Sequence, residues 1–334
     1  MKKTMSMKDI SIEAGVSIAT VSRVINKQGN YSPEIEKRVL DVIQRNNYVP
    51  NLAAQALRSS RMPFIGIMLT EIVNQHFSEI VYNLQMRLFE MGYVTVICNT
   101  SDKNRFMNRY IDMFSTYNFC GILYIATVFY EDTVIPTDIP SVFIECNAAN
   151  FPPKSPHVVI QTDHVQAGYD STRYLLERGC SRILFLRSEH GLQRQSGKFI
   201  GYQHALWEHH ISPEDDWLIT IDYSSAKSAY QRLMQYIDSN KPFDGVLCNS
   251  DTAATGVIRV LKDRGINVPG DVKVLGYTNS DISKYYYPQI SSVDMNVEAI
   301  VDIAAECMLQ LIRGEAIRQP EYTLPAKLCI RETT

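Results

Sequence analysis

Residues 15–26 read Gly-Val-Ser-Ile-Ala-Thr-Val-Ser-Arg-Val-Ile-Asn, a turn that runs straight into a short amphipathic helix. Gly15 can take the left-handed conformation that a tight turn requires, and Ser17 can cap the helix by accepting an orphan backbone N–H. Val21, Val24 and Ile25 recur at helical spacing and make one apolar face. Ile18, Ala19, Ser22 and Arg23 lie on the other side. A helix precedes this one: Ser6 and Asp9 have capping-box spacing with a shorter acid, and Ile10 and Ala14 share a face. A third follows, with Ser32 as cap, Pro33 at the first helical position and Glu34 in the first turn. Its stripe is Ile35, Val39, Val42 and Ile43. Three short helices can share only a small core. Their layout is that of a helix-turn-helix whose second helix enters a DNA major groove.

Charge favours that reading over a small bundle that binds nothing. Residues 1–61 hold ten Lys/Arg against five Asp/Glu, a net of +5 in a chain of net −3, so the rest carries −8. A basic head on an acidic body implies that only the head meets a polyanion. The chain has 334 residues, enough for a head and a large body. No apolar run reaches the ~18 residues of a membrane span, and Met1-Lys2-Lys3-Thr4 leads into no apolar stretch, so no signal peptide or membrane association is expected. Seven cysteines are scattered, with no C-x-x-C pair. They read as reduced thiols of a cytoplasmic protein, not as disulfides or zinc ligands.

From Phe64 the pattern changes. Phe64–Leu69 is a continuous apolar run of strand length, as in a sheet buried on both faces. A helix is expected over 76–90, a strand at 94–98, a helix near 104–117, then strands at 121–125 and 141–145. The alternation resumes with a strand near 158–160, a helix over 164–178, a strand at 182–186 and a helix over 196–209. It continues with strands at 217–221, 245–247 and 272–275 and helices over 225–238 and 252–264. A helix over 297–312 and short strands near 322–324 and 328–330 close the chain. Repeated βα implies parallel sheets with helices on both faces. Two such units leave a cleft, and ligands bind outside the C-terminal ends of the strands.

The run Thr20-Val21-Ser22-Arg23-Val24-Ile25-Asn26 is specific. With it go Tyr48-Val49-Pro50-Asn51 followed by Ala53, Ala54 and Leu57, then Gly276-Tyr277, and the ending Leu324-Pro325-Ala326-Lys327-Leu328-Cys329-Ile330-Arg331-Glu332. In these the chain resembles the LacI/GalR family of bacterial transcriptional regulators over essentially its whole length. The family's first helix usually has Ala where this chain has Ser11. The resemblance implies an all-α helix-turn-helix DNA-binding head joined to an α/β, two-lobed, periplasmic-binding-protein-like effector domain. The expected divisions are 1–50 for the head, 51–61 for a hinge helix and linker, and 62–334 for effector binding and dimerisation. Within the last, lobe 1 takes about 62–160 and 293–322, and lobe 2 about 161–292 and 323–334.

By family position, Ile18 and Ala19 vary with operator sequence and can touch thymine methyls. Arg23 can present a bidentate fork to guanine. Ser17, Thr20, Ser22 and Asn26 are read as phosphate contacts or caps. Residues 51–58 resemble the hinge helix: Asn51 caps it, Ala54 and its neighbouring alanines permit close approach, Leu57 wedges into the minor groove, and Arg58, with Arg61, meets phosphate. A helix this short is not expected to persist off DNA. One head reads few base pairs, so two heads on a pseudo-palindromic double-stranded operator, and hence a homodimer, are expected. No tetramer-forming coiled coil is expected.

The resemblance also places Thr70, Asn74, Gln75, His76 and Phe77 at an effector cleft, with Phe77 as a stacking surface. Ile125, Asp163, Arg194, Lys198, Asn249, Asp251 and Thr278 face it from elsewhere. Asp163 and Asp251 also fit plain helix capping, and Lys198 a solvated helix position. Thr278 stands where many relatives have a sugar-binding Asp, with Asn279 or Asp281 as substitutes. Lys198 and Arg194 would suit an anionic group.

These readings make the chain a sequence-specific DNA-binding transcriptional regulator, a repressor of carbohydrate-utilisation genes under allosteric control by a sugar, glycoside or sugar phosphate. Control by a nucleobase, a nucleoside or a partner protein is the alternative within the family. Outside it stand a sugar-binding protein, or an enzyme with an appended DNA head. No G-x-S-x-G, P-loop or H-E-x-x-H motif occurs, and no cofactor or metal is expected.

Overall fold

The computed structural model describes residues 5–25, 29–46, 62–101, 103–127, 129, 133–146, 157–188, 196–223 and 225–334. The chain forms two compact units, Met1–Met62 and Pro63–Thr334.

In the first unit, α1 (Met7–Ala14), α2 (Ile18–Ile25) and α3 (Pro33–Arg45) pack around Ile10, Ala14, Val21, Val24, Val39 and Val42. With so small a core the helix ends matter. Ser6 Oγ accepts from the Asp9 N–H at 3.3 Å, and Asp9 Oδ2 accepts from the Ser6 N–H at 2.8 Å, a reciprocal capping box. Gly15 ends α1 at φ 63°, in the left-handed region. Ser32 Oγ caps α3 by accepting from the Ile35 N–H at 3.3 Å. At the other end of α3, Asn46 Nδ2 donates to both Glu13 carboxylate oxygens, at 3.1 and 3.2 Å, tying α3 to α1.

In the second unit a six-stranded sheet runs β11-β5-β4-β3-β1-β2. Its strands are β1 (Met62–Leu69), β2 (Val94–Asn99), β3 (Phe119–Ile125), β4 (Ser141–Ile144), β5 (His157–Thr162) and β11 (Glu321–Leu324). The pairs β1–β2, β3–β4, β4–β5 and β5–β11 are parallel. Strand alternation splits its core. Ile65, Ile67 and Leu69 pack with α4 (Gln75–Glu90) and α11 (Val297–Ile312), whereas Met68 joins Phe114 of α5 (Asn104–Thr116) on the opposite face. Gly66 lacks a side chain because the Phe114 ring fills the place, 2.5 Å from where a Cβ would sit.

A four-stranded parallel sheet runs β7-β6-β8-β9, from β6 (Ile183–Ser188), β7 (Leu218–Ile221), β8 (Gly245–Leu247) and β9 (Lys273–Leu275). Around it lie α6 (His164–Glu177), α7 (Ser196–Glu208), α8 (Ala226–Asp238) and α9 (Asp251–Asp263). The chain passes between the sheets at 162–164, at 294–297 and at 324–327. The first and third crossings are tied where the Asp163 N–H donates to Leu324 O at 2.8 Å. Strands β10 (Ser292–Asp294) and β12 (Lys327–Cys329) pair antiparallel beside the second and third.

The sequence pattern misses α10 (Asp281–Tyr285) and β10, which are one turn and three residues long, too short for periodicity to register. Trp217, expected as the first residue of a strand, ends a 3₁₀ turn (Asp215–Trp217) before β7. Among the described residues the thiols are all free, and no helix is long and apolar enough to cross a membrane.

Helix α6 packs closely on α7, where Gly168 and Gly201 let the backbones meet. A Cβ on Gly201 would lie within 2.5 Å of Tyr169 N and closer still to Val165 O. Gly201→Ala is therefore expected to destabilise the second unit by roughly 1–3 kcal/mol, read by urea unfolding. Unchanged stability would show that the two helices separate freely.

Candidate functional site

A cavity of about 420 Å³ opens between the two sheets of the second unit. It is lined by segments that follow strands: Glu71 and Val73–His76 after β1, Asp222, Tyr223 and Ser225 after β7, Ser250 and Thr252 after β8, and Thr278 and Ser280 after β9. This is the volume and position expected of a small-molecule site in open α/β sheets. The backbone is strained at the same edges. Ala126, Glu145, Tyr223, Thr278 and Asn279, all non-glycine, follow strands with φ between 48° and 100°.

A polar chain crosses from one lobe to the other beside this cavity. Glu145, at the end of β4 and 9% exposed, accepts from Thr162 N–H at 3.0 Å and Thr162 Oγ1 at 2.6 Å. Its other oxygen lies 2.6 Å from His164 Nε2, and His164 Nδ1 lies 3.1 Å from the hydroxyl of buried Tyr277. Burial pushes the Glu145 carboxyl up, but His164 and Thr162 outweigh it and hold the group down at about 2. Lys198 Nζ sits over the Tyr277 ring, 3.3 Å from its centre, a cation–π placement. Burial lowers that amine to about 7 against the pull of Glu145 and Asp251.

Other cleft groups carry atoms without a partner. Both ring nitrogens of His76, Oε1 of Gln75 and Oδ1 of Asn249 are buried without a hydrogen bond among the described residues. Burial lowers His76 to about 4, with Lys198 and His164 adding to the effect and Glu145 opposing it.

The residues expected at the cleft divide into three groups. Asn74, Gln75, His76 and Thr278 line the cavity, although Asn74 also caps α4 through the His76 and Phe77 N–H groups. Asn249 and Lys198 are near it, Asn249 donating to Tyr223 O at 3.0 Å. The others have internal roles. Thr70 donates to Ala126 O at 2.6 Å. Phe77 packs against the first lobe's core, and Ile125 is fully buried in it. Asp163 caps α6 through the Gln166 N–H at 2.9 Å. Asp251 is not the cap of α9, which is Ser250. Its buried carboxylate accepts from Ser280 N and Oγ, Ser292 Oγ and Thr278 Oγ1, at 2.5–3.4 Å. Asp251 Oδ1 also fills the place of a Gly276 side chain.

Asn279 and Asp281 do not replace the missing carboxylate at 278. Asn279 bonds Asp294 and Arg331, and Asp281 pairs with Lys284. Lys198 is half-buried in the cleft, not a solvated helix residue. Arg194 lies outside the described residues. The roles of Glu145 and His164 were missed. The one available signal was that Glu145 ends a parallel strand.

In the first unit, Ser17, Ile18, Ala19 and Arg23 are exposed along one side of α2, with Thr20 and Ser22 half-buried. Ser17 Oγ accepts from the Thr20 N–H at 3.1 Å, so it caps the helix. Asn26, Asn51, Ala54, Leu57 and Arg58 lie outside the described residues.

Residues 6–51 match the family described as bacterial regulatory proteins, lacI family, and residues 172–334 match the periplasmic binding protein-like domain. The chain is 30% identical over 333 residues to the HTH-type transcriptional regulator RegA of Clostridium saccharobutylicum, covering 98% of this chain and 99% of that one. It is 28% identical over 332 residues to catabolite control protein A of Staphylococcus epidermidis, with 99% of each covered. The fold matches the crystal structure of the Lac repressor dimer bound to operator and the anti-inducer ONPF, with TM-score 0.87, 23% identity and 99% of each chain covered.

The two buried bases give the cleft a pH signature. An imidazole held at about 4 against an ordinary 6.5 leaves the unfolded state binding more protons, so stability falls as pH drops from 6.5 to 4. By the same sign, Lys198 at about 7 makes stability rise as pH climbs from 7 to 10.5. His76→Phe is expected to flatten the acid slope and Lys198→Met the alkaline one, in melting temperature measured against pH. Slopes unchanged in both variants would show that neither group is desolvated in the native state.

Proposed function

The chain belongs to the lacI family of bacterial regulatory proteins, and from that premise we propose how its parts divide the work of a DNA-binding transcriptional regulator. Residues 1–50 read the operator, 51–61 form the hinge, and 62–334 bind an effector and dimerise. The protein represses transcription in the cytoplasm and turns over no substrate. Ligand closure of the two lobes shifts the heads of a dimer and so changes operator affinity, and the coupling is reciprocal.

The observation that carries the effector is the cavity between the sheets, lined by the unpartnered His76 ring and Gln75 Oε1, with Asn249 Oδ1 near it. Its described lining holds five Ser/Thr residues, two amides and the carboxylates of Glu71 and Asp222, but no Lys or Arg. The hydroxyls, amides and carboxylates of such a wall suit an uncharged polyol, a sugar or glycoside. Dimerisation is supported by apolar side chains left in solvent. Tyr82, Met86 and Phe89 form a stripe along α4, and Tyr285 and Tyr287 are 83% and 87% exposed.

Arg23 is exposed on the helix face that resembles the base-reading face. Arg23→Ala is expected to weaken operator binding by roughly 1–3 kcal/mol and to relax specificity at one base pair per half-site. Equal weakening on every sequence would make Arg23 a phosphate contact. Leu57→Ala is expected to reduce operator bending. Unchanged bending would remove the wedge from the hinge.

A panel of neutral sugars, glycosides, sugar phosphates and nucleobases, followed by thermal unfolding, tests the effector. A ligand at 100 times its Kd stabilises by about 2.7 kcal/mol. A shift confined to neutral sugars is expected. A shift confined to sugar phosphates or nucleobases would overturn the polyol reading.

A further inference from the structure

We propose that Glu145, His164 and Tyr277 form an interlobe latch, which fixes the angle between the two lobes before any effector binds. Its consequence for operator affinity rests on the regulatory reading above; the latch itself does not.

Glu145 belongs to the first lobe by its backbone. Its N–H donates to Ile160 O of β5 at 2.9 Å, which sets it beside the strand that leaves for the second lobe. Its φ of 54° is costly for a residue with a side chain. In that conformation the side chain reaches both sides of the first crossing: one oxygen takes the Thr162 N–H and hydroxyl, the other meets His164. His164 opens α6 in the second lobe, and its far nitrogen meets Tyr277, which is 1% exposed in that lobe's core. One carboxylate is thereby bonded to the crossing and, through one ring, to the second sheet.

A buried carboxylate persists only while paired and hydrogen-bonded. Contacts of 2.6 and 3.1 Å do not survive a relative shift of about an ångström. The chain of bonds therefore selects one lobe angle. Three other described polar groups near the cleft do not share this task. The His76 ring, on α4, has no hydrogen-bond partner among the described residues, and Lys198, from α7, contacts the Tyr277 ring from the second lobe's own side. Asp251 is occupied within the second lobe.

Two alternatives differ from the latch in what they predict. If Glu145 and His164 were a satisfied pair inside one rigid body, breaking it would lower overall stability and leave the crossings as they were. If effector contacts alone set the angle, the effector-free lobes would already move freely.

The test uses the full-length protein without effector, as wild type, Glu145→Gln and Tyr277→Phe. Amide hydrogen exchange is followed at residues 162–164, 277–280 and 324–327, together with the radius of gyration from small-angle scattering. The latch predicts exchange at these segments faster by about tenfold or more in Glu145→Gln, with β1 and β3 unchanged, because local opening is released without global unfolding. The radius of gyration is expected to rise. Tyr277→Phe removes one oxygen and no charge, so it decides the case if Glu145→Gln folds poorly. Faster exchange at the same segments supports the latch, and wild-type exchange there overturns it. Operator binding by the wild type is measured alongside. Its absence would refute the regulatory reading without touching the exchange result.

Discussion

A parallel sheet sends the C-terminal ends of its strands to one edge, and in this chain two such edges face each other across three covalent crossings. The functional geometry of the second unit follows from that constraint. The loops that leave β1, β7, β8 and β9 must line the gap, because the crossings hold the two edges together. The same edges carry the non-glycine residues with positive φ. Each costs of order 1–3 kcal/mol, and a fold tolerates that where the surrounding packing overdetermines the conformation. Here the cores on both faces of the first sheet, and the cluster around the second, supply that packing.

What the sequence disclosed and what it withheld differ in range. Helix ends are written within four residues, as at Ser6 with Asp9, at Gly15, and at Ser32 with Pro33, so the head could be read from its own chemistry. The strands of the body were legible because parallel strands are apolar throughout, as Phe119–Ile125 is buried at every position. The polar chain through Glu145 was not legible. It joins residues 19 and 113 positions apart, and no local pattern marks such partners. Position alone also misled at Ile125 and Phe77, where alternation and helical phase turn the side chains into the core. It misled at Asp251 for another reason. Gly276, Ser280 and Ser292 enclose that carboxylate, and they come from later in the chain.

The departure at Thr278 makes sense in these terms. With threonine there, the hydroxyl leans on Asp251 at 3.4 Å, and the second lobe presents no carboxylate at that point. The first lobe contributes a buried carboxylate, Glu145, and it is already bonded three times. The hydrogen-bonding capacity still unused among the described residues lies at the His76 ring, Gln75 and Asn249.

That unused capacity bears on how a ligand does work. A buried polar atom without a partner costs about 1–3 kcal/mol, so a ligand gains by bonding these atoms. Gln75 and His76 belong to the first lobe, Asn249 to the second. A ligand that bonds atoms on only one side relieves part of the cost and gives no preference for an angle. A ligand that spans both sides relieves more of it, but only when the walls stand at its own width. Affinity and lobe angle are then the same quantity, and any width other than the one the unliganded chain prefers must be won against the bonds of Glu145, His164 and Tyr277. The differential affinity that moves the lobes is the polar satisfaction gained on both walls minus the cost of distorting those bonds.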